Sequence, residues 1–158
     1  MVHIDDGFDF LGHHIRRQRK RGTSKQVVYT RPSKKAAQAI RDRVSARTYR
    51  HTQNQSLAML LESLNRTLVG WATYFRHGAA KRTFDAIDHY TWNRIAIWLC
   101  RKHRIPSSQL RNHCDRGWRF ASGGTVFLGA SSVKIERYRY RGAKIPTPWT
   151  IEPAVNHG

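Results

Sequence analysis

The sequence predicts a mainly α protein: a three-helix bundle preceded by a β-hairpin and followed by a basic tail with short strands. Three observations predict it. Leu57, Leu60, Leu61, Leu64, Leu68, Trp71 and Phe75 recur at three- to four-residue spacing, which puts them on one stripe of a helix. Stretches on either side repeat that amphipathic spacing and are joined by short links. The β-favouring runs lie near the N-terminus and beyond Pro106. The chain therefore divides into a hairpin at residues 1–31, helices at 32–105 and a basic extension at 106–158.

The hairpin rests on Phe8-Asp9-Phe10-Leu11-Gly12-His13-His14-Ile15 and Gln26-Val27-Val28-Tyr29-Thr30. Between them Arg16, Arg17, Arg19, Lys20, Arg21 and Lys25 give six cations in ten residues, read as an extended basic tip. Such a tip is either a solvated loop or a loop that touches phosphates, and its charge density supports the second at least as well. Pro32 then breaks the chain, and Ser33 can cap a helix running from Lys34 to about Tyr49. Ala36, Ala37, Ile40 and Val44 share its inner face; Lys34, Lys35 and Arg41 point away from that face.

Ser56 is placed to cap the second helix, with Arg66 opposite the apolar stripe. Gly70 inside that helix costs about 1 kcal/mol relative to Ala, so close packing against another element is expected there. His77-Gly78 ends it. The third helix is expected from about Thr83 to His103, with Phe84, Ile87, Thr91, Ile95 and Trp98 inward and Ile105-Pro106 as the stop.

After Pro106 the composition changes. Arg111, Arg116 and Arg119 interleave with Trp118 and Phe120, and Gly123-Gly124 precedes Thr125-Val126-Phe127-Leu128. If 135–142 is a strand, Arg137, Arg139 and Arg141 fall on one face and Tyr138 and Tyr140 on the other. One face would then meet phosphates while the tyrosines stack on bases or, equally well supported, anchor the strand to the bundle. Pro146, Pro148 and Pro153 point to an irregular end.

The net charge is +19, from 29 Lys and Arg against 10 Asp and Glu. Self-repulsion of that size points to a polyanionic partner. Its distribution is more informative. Residues 16–50 hold 13 basic residues against Asp42, and residues 99–144 hold 11 against Asp115 and Glu136. The stretch 51–98 is nearly neutral, so two basic blocks flank a folded centre. A membrane surface is the competing polyanion, but it requires a free bulky apolar helix face, and these helices need theirs for one another. No run reaches the length of a transmembrane span, and the N-terminus lacks a signal pattern. Cys100 and Cys114 do not make a disulfide framework, so a reduced, cytoplasmic protein is expected.

Sharper chemical readings are weak. Cys100, His103, His113 and Cys114 include an adjacent His-Cys pair, a poor spacing for two ligands on one zinc ion, and no metal is expected. In a strand His13 and His14 would face opposite sides of the sheet, which argues against a joint role. No nucleophile elbow, phosphate loop or dinucleotide fingerprint occurs. Trp71 and Phe75 lie on the apolar stripe, so core packing is favoured over base stacking for the group that includes Tyr74.

Longer motifs resemble a known family. Gly7-Phe8-Asp9-Phe10-Leu11-Gly12 resembles the last block of group II intron reverse transcriptases, where palm leads into thumb. Arg31-Pro32-Ser33-Lys34-Lys35 resembles the start of their thumb helix. The stretch from Leu64 to Phe75, with Asn65, Gly70, Trp71, Tyr74 and Phe75, is similar to the signature of their maturase domain, domain X. Arg101-Lys102-His103 and Gly117-Trp118-Arg119-Phe120 look like the segment that follows. Together these cover roughly residues 7 to 144.

The resemblance implies a helical unit that grips intron RNA, assists its splicing, and holds template–primer in a full-length reverse transcriptase. It implies RNA contacts at Arg16, Arg17, Arg19, Lys20, Arg21, Arg31, Lys34, Lys35, Arg41 and Arg66. RNA or target-DNA contacts would come from Arg101, Lys102, Arg104, Arg111, Arg116, Arg119, Arg137, Arg139 and Arg141. The fingers, most of the palm and the nuclease of longer members have no counterpart, so no catalytic residue is expected. Ile4-Asp5-Asp6 is superficially like the polymerase carboxylate block but lacks the rigid sheet that positions magnesium ligands. Magnesium would belong to the missing palm, and no cofactor is expected here. Alternatives are one part of a split polymerase completed by a separate palm/fingers polypeptide, a decayed mobile-element remnant, and a general DNA-binding protein.

Overall fold

A computed structural model describes residues 2–137. It opens with a three-stranded antiparallel sheet in the order β1-β2-β3: β1 Phe8–Phe10, β2 His13–Arg19 and β3 Gln26–Pro32. The run from Phe8 to Ile15, expected as one strand, is two. Leu11 (φ 48°) and Gly12 (φ 81°) turn the chain in the left-handed region, and Phe8 pairs with Ile15. The basic stretch is corrected as well: Arg16, Arg17 and Arg19 lie within β2, opposite Tyr29, Val28 and Gln26, and only residues 20–25 form the connecting tip.

Helix α1 spans Lys34–Arg47, and the Ser33 side chain caps it by accepting from Ala36 N. It ends earlier than the sequence suggests because Thr48 turns its hydroxyl back to Val44 O (2.8 Å), releasing Tyr49 into a short 3-10 turn over Arg50–Thr52. Helix α2 spans Leu57–Phe75, capped by Ser56 as expected, with its leucine stripe buried. Gly70 is a correction: it is exposed, and a Cβ there would meet nothing within 4 Å. Among the described residues no packed neighbour offsets its helical cost. Helix α3 spans Lys81–His103 and begins two residues before the expected start. Its cap, Ala80, makes no side-chain hydrogen bond, so the usual polar start signal is missing.

The core joins Ile40 and Val44 of α1 to Leu57, Leu60, Leu61, Leu64 and Leu68 of α2 and to Ile87, Ile95, Trp98 and Leu99 of α3. The chain beyond α3 contributes to the same core. Leu110, from the 3-10 segment Ser107–His113, and Phe120 and Phe127, which flank the strand pair β4 (Ala121–Ser122) and β5 (Thr125–Val126), are buried in it. A smaller cluster of Ala72, Phe75, Ala80, Phe84 and Ala130 lies at the sheet end of the bundle. The strand expected over 135–142, with Tyr138, Tyr140, Arg139 and Arg141, lies mostly outside the described residues. So do Pro146, Pro148 and Pro153.

Candidate nucleic-acid interface

The signature residues of α2 hold the frame together. Asn65 Nδ2 donates to Val126 O (2.7 Å), and its Oδ1 accepts from Leu128 N (2.8 Å), so one carboxamide supplies a strand-like pair to the backbone around Phe127. Tyr74 donates its hydroxyl to Leu11 O (2.9 Å), fixing the β1–β2 turn against the bundle. Phe75 is buried between His13 (4.8 Å between ring centroids) and Trp71 (4.7 Å), and Trp71 also meets Phe84. These aromatic side chains build the junction between sheet and bundle. Burial holds the His13 imidazole below its ordinary pKa.

The cations of the sheet differ in what occupies them. Arg17 makes a two-bond pair with Asp5 (2.6 and 2.8 Å), and Arg16 Nε donates to Asp5 O (2.9 Å). The Arg17 hydrogen bond holds the Asp5 carboxyl below its ordinary value. Arg31 Nη2 donates to Gln18 (2.7 Å), while its buried Nε has no partner among the described residues. Lys20 and Arg21 are exposed at the tip, whose ends are tied by Lys20 N to Lys25 O (2.8 Å), and Arg19 Nε donates to Thr23 O (3.1 Å).

Lys34 and Lys35 are exposed in the first turn of α1, where no acidic residue stands. Cations at a helix N-terminus add to the positive end of the helix dipole, which costs stability in isolation and is relieved by an anion. Arg41 is half-buried further along the helix. Arg66 is exposed and meets Glu62 one turn earlier (3.5 Å).

Beyond α3 the basic residues are arranged around aromatic ones. The Arg111 guanidinium lies 4.4 Å from the centroid of Trp118, itself half-exposed in a left-handed conformation (φ 60°). Arg119 pairs with Asp115 (2.9 Å), whose carboxyl also accepts from Gly117 N and Arg119 N. The Arg119 backbone bond leads the causes that hold that carboxyl below its ordinary value. Arg101, Arg104, Arg116 and Arg137 are exposed. Lys102 differs: its ammonium donates to Gln53 O and Gln55 O, both at 2.6 Å, and so ties α3 to the α1–α2 link.

Three residues here were not singled out by sequence reasoning. Tyr49, Arg50 and Arg94 line a cleft of about 440 Å³ together with Gln53 and Arg101. Arg94 and Arg101 stand seven residues apart, two turns of one helix face, a spacing that could have flagged them. Tyr49 was hidden by its expected place in the first helix.

His103 and His113 stack (5.5 Å, 10° between planes), and among the described residues no group of three or more His, Cys, Asp or Glu is placed to hold a metal. Among them, too, no helix is long and apolar enough to cross a membrane. Compared with known proteins, residues 37–118 match the family model described as group II intron, maturase-specific domain. No curated protein matches the chain.

Proposed function

Because the chain belongs to the group II intron maturase-specific domain family, which gives it a maturase-type role in intron splicing, we propose that it acts by binding intron RNA directly. The observation that supports this reading best is the exposed set of cations at Lys20, Arg21, Lys34 and Lys35, whose side chains make no hydrogen bond or ion pair among the described residues, on a frame whose aromatic signature residues are committed to packing. The basic residues of β2, the tip and α1 form one phosphate-contacting surface; those from Arg101 onward form a second, for RNA or target DNA. The chain works as a binding module in the cytoplasm and supplies no catalytic group. In a longer reverse transcriptase, or with a separate palm and fingers polypeptide, the same surface grips template–primer.

Binding through phosphates is tested by salt. With about 8 to 10 contacts, log K for a structured intron RNA falls with log[salt] at a slope near −6 to −9. A slope shallower than about −2 contradicts the reading. Competition against an equal length of duplex DNA at physiological salt separates an RNA module from a general DNA-binding protein.

A further inference from the structure

The link between α1 and α2 is held unusually firmly for a surface connection. Arg94 Nε donates to Thr48 Oγ1 (3.0 Å), and its Nη2 lies 3.4 Å from both Ser45 O and Thr48 O. One turn on, Trp98 Nε1 donates to Thr52 Oγ1 (3.1 Å). Another turn on, Lys102 takes the Gln53 and Gln55 carbonyls. Three successive turns of α3 thus clamp residues 48–55 from beneath. What the clamped link presents outward is an aromatic ring, Tyr49, 49% exposed.

Around that ring the cleft is cationic. Arg50 stands 5.7 Å from the Tyr49 centroid, and Arg94 and Arg101 form the α3 wall. None of the five lining residues is acidic. Arg101 makes no hydrogen bond or ion pair among the described residues, and Arg94 leaves its Nη1 without a protein partner among them. An exposed aromatic ring beside guanidinium groups recognises a planar base joined to a phosphate. The volume suits a single small ligand. A base stacked within a duplex has both faces covered by its neighbours, so only an unpaired, splayed-out base offers a face to Tyr49.

We propose that the cleft between Tyr49, Arg50, Arg94 and Arg101 binds one unpaired nucleotide of RNA, its base stacked on Tyr49 and its phosphate held by Arg94 and Arg101. This rests on the RNA-binding reading above and adds to it a site that discriminates extruded from paired nucleotides. The clamp from Arg94, Trp98 and Lys102 holds the platform in position before the nucleotide arrives, so less ordering cost falls on binding.

The test uses the full chain and two RNA hairpins, identical except that one carries a single bulged 2-aminopurine. The bulged hairpin should bind about tenfold tighter, within the range that one base–aromatic stack provides, and its fluorescence should be quenched on binding. Tyr49→Ala should abolish both the preference and the quench while binding the paired hairpin as before; Tyr49→Phe should keep both. Arg101→Ala should weaken the bulged hairpin more than the paired one. Equal wild-type affinity for the two hairpins, or a quench that survives Tyr49→Ala, overturns the nucleotide site and leaves general RNA binding standing. Failure to bind either hairpin overturns both readings.

Discussion

Asn65 in α2 and Val126 in β5 are joined by a 2.7 Å hydrogen bond from carboxamide to backbone carbonyl, across 61 residues of chain. The same side chain accepts from Leu128 N, so Phe127 is held in the core by its two neighbours. Asn65→Ala removes both bonds and leaves backbone groups short of partners, at a cost of about 1–3 kcal/mol in urea denaturation. An unchanged midpoint would mean that water replaces the carboxamide without penalty.

Two glycines should respond to the same substitution with opposite sign. Gly129 has φ 75°, and a Cβ there would lie 2.6 Å from the Asp88 carboxylate that accepts from Ala130 N and Ser131 N. Gly129→Ala should destabilise by about 2 kcal/mol or more, from left-handed strain and loss of that cap. Gly70 is helical and open to solvent, so Gly70→Ala should stabilise by about 0.5–1 kcal/mol. Thermal melts of the two variants decide both signs.

Lys102 should matter to stability before it matters to nucleic acid. Its ammonium holds two carbonyls of the α1–α2 link, and charge-assisted bonds of this kind contribute about 1.5–3 kcal/mol. Lys102→Ala should lower the unfolding free energy by that order. Lys34→Ala with Lys35→Ala should do the reverse: a small gain in stability as two cations leave the positive end of α1, weaker RNA binding, and a salt slope shallower by about 1 for each lost contact.

Acid should loosen the segment after α3. The Asp115 carboxyl is held below its ordinary 3.8 by Arg119 and Gly117, so the unfolded chain takes up its proton first as pH falls. The stability it contributes is present above the ordinary carboxylate value and is lost as pH falls through the depressed one. Asp115→Asn should therefore melt below wild type at pH 6, with the gap closing towards pH 2. A gap constant over that range would remove the charge from the explanation.

The sequence by itself determined the helical bundle, because the leucine stripe of α2 and the inward residues of α3 from Phe84 to Trp98 are local periodic patterns that only one burial arrangement satisfies. It determined the Ser33 and Ser56 caps for the same local reason, and the two basic blocks because charge is additive along a chain. Only the tertiary structure decided which cations remain unoccupied. Arg17 and Asp5 are 12 residues apart, and Lys102 and Gln53 are 49 apart; nothing in the intervening sequence specifies either meeting. The cleft at Tyr49 depends on the same kind of information. Its residues come from the α1–α2 link and from α3, and only long-range packing brings a local ring and two distant guanidinium groups to one place.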